Sequence, residues 1–287
     1  MMRSVPMQDD NSGFPSEPLP DDVPPAPDAA FHWIREDWGY HLRCAPLEGV
    51  AKHLFTSRQL GFPGEPASGA DRWEPLARAM GVPPGSLMRI TQVHGGHVRV
   101  VRRGEVSGTS ATERPEADAV VSNAPGLGLL VQVADCVPIL IADPEAGAAA
   151  AVHAGWRGTC AGIAAAAVEA LVREFGCRPE RMVAALGPSV GPADYEVGEA
   201  LLVSFAQAGH GASIDRWFRR SGPEQRLFLD LWRANEDQLR GAGVPGEAVH
   251  RSGLSTPRHP RWLESYRRDG DRAGRMAALV VVPGPRR

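Results

Sequence analysis

The chain reads as a mixed-sheet α/β protein with helices packed on its sheets. Three features predict this: short runs rich in valine, leucine and isoleucine, turn clusters of glycine, proline and aspartate between them, and interspersed segments of helical length with recognisable ends. With 287 residues, 43% of them hydrophobic and 23% charged, the chain can bury a substantial core.

Residues 1–30 stand apart. They hold seven prolines, five aspartates and almost no large apolar side chains, so they read as a disordered tail. Residues 31–287 follow as a single domain, since no linker-like composition and no repeat of fixed period interrupts them. Strands are predicted over 53–56, 88–93 and 98–102, with a helix over 71–80 ended by Gly81 and Pro83. A strand at 119–122 precedes the buried, apolar runs 129–134 and 139–142. The cluster Asp143–Pro144–Glu145–Ala146–Gly147 is a turn, and 148–153 resumes as a strand. Thr159 is a predicted cap for a helix over 160–175, whose alanine run suits close packing on a sheet. The remainder alternates: a strand at 182–186, helices over 198–206 and 230–240, and a closing strand at 279–282.

Several function classes are disfavoured. The formal net charge is −3, and acidic residues intersperse the clusters at Arg216, Arg219 and Arg220 and at Arg267–Arg268. This balance argues against nucleic acid or an acidic membrane as partner and for a small-molecule client. Four cysteines in so long a chain are no disulfide framework. No apolar leader and no span of eighteen apolar residues is found, so the expected location is the cytoplasm.

Three side chains then draw notice. A turn centred between Pro144 and Glu145 would pair Cys136 with His153 across the hairpin, although Pro138 signals irregularity in the first strand. His94 lies in TQVHGGHV, where adjacent glycines allow a sharp turn that exposes the imidazole. Thiolate and imidazole are zinc ligands, and a set of three leaves one tetrahedral position vacant. Taken singly, each side chain has an ordinary structural reading as well: a small core cysteine and satisfied histidines. Their spacing matches no short zinc motif, so residue types alone leave both readings open.

A motif set adds to this. TQVHGGHV, EADAVVSNAPGLGLLVQVADCVPILIADP, AAVHAGWRGT, LGPSVGPADYEVGEAL and SYRRDGDRAGR occur in that order. Together, from about residue 50 to 283, they resemble the family once called multicopper polyphenol oxidases or laccase-domain proteins and now viewed as purine nucleoside phosphorylases. The resemblance implies a layered α/β/β/α sandwich forming one catalytic domain. It implies metal ligands at His94, Cys136 and His153, with zinc as the cofactor. It further implies phosphorolysis of adenosine, inosine, guanosine and methylthioadenosine, with adenosine deamination as a side activity. The sequence departs from the family pattern in three places. Ser255–Thr256 replaces a Cys-Thr pair, Leu263–Glu264 replaces an aromatic pair, and the stretch from Arg58 to Gly81 is shorter and less typical.

Phosphate in such a reaction calls for arginines, whose planar fork donates two charge-assisted hydrogen bonds. Arg58, Arg157, Arg267 and Arg268 are the candidates, each with a structural salt bridge as its ordinary alternative. Arg157 follows a glycine turn that leads into a helix N-terminus. Asp135 is a candidate proton carrier, unless strand alternation turns it away from Cys136 to hold a neighbouring backbone group or histidine. Two other activities fit the same residues: a copper-dependent phenol oxidase and a hydrolase with Cys136 as nucleophile activated by His153. Nine histidines are few for the several copper centres a laccase needs.

Overall fold

The computed structural model describes residues 23–60, 73–105 and 114–284. Of the segment read as a tail, residues 1–22 lie outside the described residues. Residues 23–30 are irregular and docked: Asp28 N–H donates to the Ser252 carbonyl at 2.9 Å, and Trp33 Nε1 donates to the Pro25 carbonyl at 2.8 Å. The atypical stretch after Arg58 also falls largely outside, at 61–72.

The strands in chain order are β1 (Phe31–Glu36), β2 (Gly39–Cys44), β3 (His53–Thr56), β4 (Leu87–Arg89), β5 (Val98–Val101), β6 (Ala119–Ser122) and β7 (Gly128–Val133). They continue as β8 (Val137–Asp143), β9 (Ala148–Ala154), β10 (Val183–Leu186), β11 (Phe218–Ser221), β12 (Arg226–Leu229), β13 (Val249–Arg251) and β14 (Met276–Val281). The helices are α1 (Ala45–Glu48), α2 (Glu74–Met80), α3 (Trp156–Cys160), α4 (Ile163–Phe175), α5 (Glu199–Phe205), α6 (Ile214–Trp217), α7 (Leu231–Gly241) and α8 (Tyr266–Asp269).

Two six-stranded mixed sheets result, ordered β1-β2-β3-β14-β7-β4 and β13-β10-β8-β9-β6-β5. Strand alternation sorts their side chains into three cores. Along β14, Ala278 and Val280 join Val131 of β7 and Leu140 and Ala151 of the second sheet between the sheets. The alternate residues Ala277, Leu279 and Val281 face outward and pack under Leu76 and Met80 of α2. On the other side, Val137, Ile139 and Ile141 of β8 and Ala150 and Val152 of β9 pack under Ile163, Ala167 and Leu171 of α4 and Leu239 of α7. The order is therefore helix, sheet, sheet, helix, the layered α/β sandwich that the motifs imply. At Gly187 a Cβ would come within 2.2 Å of the Phe55 ring, so glycine there lets the two sheets approach.

Several elements depart from expectation. The hairpin turn is centred one residue later than predicted, between Glu145 and Ala146: Asp143 Oδ1 accepts from the N–H groups of Glu145 and Ala146 at 2.9 and 3.1 Å, and Gly147 closes it with φ +66°. The register moves by one residue on each strand. Pro138 faces His153, and Val137 faces Ala154. The predicted 160–175 helix begins only at Ile163, because Gly162, with a left-handed φ of 77°, separates it from α3, which ends at Cys160. Thr159 is no cap; its Oγ1 accepts from Asn235 Nδ2 at 3.0 Å. The predicted strand at 88–93 ends at Arg89, after which the Gln92 carboxamide pairs with both main-chain groups of Gln132 at 2.7 and 2.8 Å. The small β11–β12 hairpin had no sequence signal beyond Gly222 and Pro223.

Two buried histidines brace the first sheet. Cys44 N–H donates to His53 Nε2 at 2.9 Å, His53 Nδ1 bonds the Ala51 carbonyl at 3.0 Å, and Arg43 Nε donates to His41 Nε2 at 3.1 Å. Burial lowers both His41 and His53 from 6.5 to about 4, and Arg43 adds to the effect. The unfolded chain takes up these protons as pH falls below 6.5 while the folded chain does not. Stability is therefore full above that pH and is lost toward pH 4, by roughly 3 kcal/mol per histidine. Urea titrations between pH 6.5 and 5, where carboxylates are still ionised, should show this slope, and His53→Gln should flatten it. An unchanged slope in the variant would remove His53 from the explanation.

Candidate metal centre

His94 and Cys136 lie where the chain crosses between the sheets. Residues 90–97 lead from β4 in the first sheet to β5 in the second, and residues 134–136 lead from β7 to β8. Both crossings use a left-handed backbone at a residue other than glycine, with φ of 60° at His94 and 85° at Asp135. Such a conformation costs about 1–2 kcal/mol per residue, so neighbouring groups must hold it.

Asp118, entirely buried at the start of β6, holds the first crossing. Its carboxylate accepts from the N–H groups of His94 and Gly95 at 2.9 and 2.6 Å. The same Oδ1 lies 2.8 Å from His153 Nδ1, and the Asp118 carbonyl accepts from His153 N–H at 2.7 Å. With Nδ1 donating, Nε2 of His153 is left to serve as a ligand. The second crossing is held through Asp135, whose carboxylate accepts from Thr256 Oγ1 and from the N–H of Arg267. Asp135 thus holds a neighbouring backbone, the second of its two expected roles.

The ligand atoms of His94, Cys136 and His153 lie within 4.8 Å of one another, with His94 exposed, Cys136 half-buried and His153 buried. The two imidazoles meet edge-on, 4.8 Å apart with planes at 78°. Gly155 stands beside Cys136, and a Cβ on it would fall 2.8 Å from Sγ and 3.4 Å from His94 Cδ2. Gly158 likewise passes within reach of the Gly95 carbonyl, 3.1 Å from where its Cβ would be. The glycines of the two motifs are therefore the space into which the cluster fits.

Burial alone would push the Cys136 thiol up, but His153 first and then His94 outweigh it and bring it down to about 6. His153 answers in the opposite sense: burial lowers it, while Cys136 and Asp118 raise it to about 9. Asp118 is held below the usual carboxylate range, since its bonds to His153 and to the N–H groups of Gly95 and His94 exceed the penalty of burial. A thiolate between two imidazoles is a donor set suited to zinc, and three donors leave a position for a further ligand. It is the one such group of three found among the described residues.

The four arginines separate into two pairs. Arg58 bonds the Pro260 carbonyl and pairs with Glu264 at 3.3 Å. Arg268 donates to the carbonyls of Thr256 and Leu263 at 3.2 and 3.1 Å and pairs with Asp269. Both are engaged in holding the loop before α8. Arg157 and Arg267 are exposed and share the surroundings of Tyr195 with Cys136 and Asp135. Arg157 lies over the Trp156 ring at 4.4 Å, and Arg267 over the Tyr195 ring at 5.1 Å.

Sequence reasoning missed Asp118 and Tyr195. Both lie inside quoted motifs, Asp118 in EADAVV and Tyr195 in GPADYEVG, and that membership is the only signal the sequence held. That Asp118 sits opposite His153, through the pairing of Ala119 with Val152, is a matter of strand register.

Fold and site together define a class: a layered α/β sandwich carrying a candidate metal site of two histidines and one cysteine at the rim between its sheets. The chain belongs to the multi-copper polyphenol oxidoreductase laccase family, whose model matches residues 42–283. A Deinococcus radiodurans protein named purine nucleoside phosphorylase is 38% identical over 258 residues, covering 85% of this chain and 94% of the relative. The Streptomyces griseus protein named purine nucleoside phosphorylase ORF3 is 36% identical over 253 residues, 83% of this chain and 97% of the relative. The crystal structure of YlmD from Geobacillus stearothermophilus matches with a TM-score of 0.74 at 28% identity, covering 88% of this chain and 98% of that one.

Asp118→Asn should weaken zinc affinity roughly 10- to 100-fold in a chelator competition, the usual effect of losing the group that orients a ligating histidine. Unaltered affinity would show that His153 needs no such support. Gly155→Ala should reduce zinc binding as well, since its methyl would occupy space taken by the Cys136 sulfur; equal zinc content in this variant would show that the crossing can yield.

Proposed function

We propose that the chain is a zinc-dependent purine nucleoside phosphorylase acting on adenosine, inosine, guanosine or methylthioadenosine with phosphate. The convergence of His94, Cys136 and His153, oriented by a buried carboxylate beside two exposed arginines, supports this most directly. The names of the relatives point the same way. His94, Cys136 and His153 would hold the ion, which when bound supplies positive charge and a vacant coordination position to polarise substrate. Asp118 keeps the His153 proton on Nδ1. Arg157 and Arg267 carry the phosphate role, because Arg58 and Arg268 spend their donors on the adjoining loop. Their two planar forks would bring phosphate to the sugar carbon and leave the ring of the departing base toward the cluster.

Adenosine deamination stands as a proposed side activity. It needs a carboxylate to carry a proton, and Asp118 and Asp135, which hold the segments of the cluster, already accept three and two hydrogen bonds. Phosphorolysis should therefore dominate. The copper-dependent phenol oxidase is the weaker alternative, since a laccase needs several metal clusters and one such triad occurs among the described residues. The hydrolase alternative uses Cys136 as nucleophile with His153 as base. Among the described residues no helix is long and apolar enough to cross a membrane, and the four free thiols suit a reducing cytoplasm.

Assays of the purified protein with each nucleoside, with and without phosphate, should give sugar-1-phosphate only when phosphate is present. Free ribose as the product would replace phosphorolysis by hydrolysis. Elemental analysis should find one zinc per chain, and Cys136→Ala should lose both metal and turnover. Full activity in metal-stripped protein would favour the Cys–His hydrolase instead, and copper in stoichiometric amount the oxidase.

A further inference from the structure

Tyr195 stands at the cluster with its ring fixed and its hydroxyl unused. The segment that carries it is clamped to β12: Leu229 N–H donates to the Tyr195 carbonyl at 3.1 Å, and Val197 N–H donates to the Leu227 carbonyl at 2.8 Å. One face of the ring is covered by Arg267, whose guanidinium lies 5.1 Å from the ring centre and is tied by Nη2 to the Glu196 carbonyl at 2.7 Å. The main chain of Arg267 is in turn held by Asp135, the neighbour of Cys136 in sequence. Arg267, Arg157 and Cys136 come from three segments separate from that of Tyr195, and the charges of all three act on it.

A half-buried phenol normally finds a hydrogen-bond partner, and this one has none among the described residues. The aromatic face is taken by Arg267, so base stacking on that side is closed and the O–H is the group on offer. Of the charges that act on Tyr195, the Asp135 carboxylate is engaged by Thr256 and the Arg267 N–H and the Cys136 thiolate would be neutralised by a bound metal, which leaves the Arg267 and Arg157 guanidiniums to favour an anion over a neutral sugar hydroxyl or a base edge. A phenol keeps its proton at neutral pH and can only add a donor to those of the arginines.

We propose that Tyr195 binds the phosphate co-substrate, its hydroxyl donating to a phosphate oxygen that Arg157 and Arg267 hold by charge. The assignment rests on the phosphorolysis reading above and makes Tyr195 a specificity-determining residue for inorganic phosphate. It also gives the Arg267 stack a purpose, since the guanidinium fixes the ring that aims the hydroxyl.

The test is Tyr195→Phe, which deletes one oxygen and keeps the ring and its stack. Phosphate affinity of the zinc-loaded wild type and variant is read directly by isothermal titration calorimetry with inorganic phosphate, so the answer does not depend on turnover. A hydrogen bond to a charged group predicts a loss of about tenfold or more. The KM for phosphate should rise by the same factor, with the KM for nucleoside and the zinc content unchanged. Arg157→Met and the double variant complete a cycle, and the two losses should be coupled because both groups touch one anion. Equal phosphate affinity in wild type and Y195F, or strictly additive losses, would overturn the assignment, as would a wild type that binds no phosphate. Nucleoside cleavage that ignores phosphate while calorimetry shows Y195F impaired would instead overturn phosphorolysis and leave Tyr195 as an anion ligand. If Y195F loses its cooperative thermal melt, Tyr195→Leu, which also lacks a side-chain donor, must show the same selective loss of phosphate affinity; normal affinity in it would also overturn the assignment.

Discussion

One buried carboxylate organises the site. Asp118 is completely excluded from solvent, and an ionised carboxylate in that position is tolerable only if its lone pairs are filled. They are filled by two backbone N–H groups of the QVHGG turn and by His153 Nδ1. The same three bonds hold His94 in a left-handed conformation, fix the tautomer of His153 and bring the two imidazoles edge to edge. Removing the charge at Asp118 would therefore loosen a turn, a proton position and a candidate metal ligand together.

The site also depends on how the chain changes sheets. In a sandwich of two sheets the strands are rigid, and the rim is where the backbone must bend sharply. His94 and Asp135–Cys136 lie on two such crossings, while His153 near the end of β9 and Gly155 just after it lie beside them. Backbone strain at His94 and Asp135 is offset locally by hydrogen bonds to the side chains of Asp118, Thr256 and the main chain of Arg267. Packing of three continuous cores keeps the crossings from relaxing. The glycines finish the construction, since the thiolate needs the volume that a Cβ at Gly155 would fill.

The departures from the family pattern have structural explanations of their own. Ser255 Oγ accepts from Gly191 N–H at 3.0 Å and donates to Asp194 at 2.6 Å, while Arg258 binds the same carboxylate at 2.7 Å. A serine at this position joins two loops with a strong donor, a task a thiol performs less well. Glu264 is buried where an aromatic residue is usual, and its two oxygens are met by Arg58 and by the N–H of Gly274 at 3.3 and 3.1 Å. Arg58 and Glu264 thus form a compensating pair on the loop before α8. This accounts for an arginine that charge chemistry alone suggested for phosphate.

Much was legible in the sequence because it is local. Apolar runs, turn clusters and glycine stops give β3, β6, β9, the end of α2 and the span of α7 to within a residue or two, since each follows from backbone propensity and from which side chains must leave water. His94, Cys136 and His153 stood out through their motifs, and the structure brings their ligand atoms together. The hairpin register was misjudged because the Asp143 side chain caps the N–H groups of Glu145 and Ala146 and centres the turn between those two residues, a hydrogen-bonding choice invisible to apolar patterning. The places of Asp118 and Tyr195, the parting of the arginines into structural and exposed pairs, and the bonds of Asp135 to Thr256 and Arg267 were decided only by the tertiary structure. Each depends on segments distant in the chain meeting at one rim, and residue spacing carries no record of which distant backbone group will fill a given lone pair.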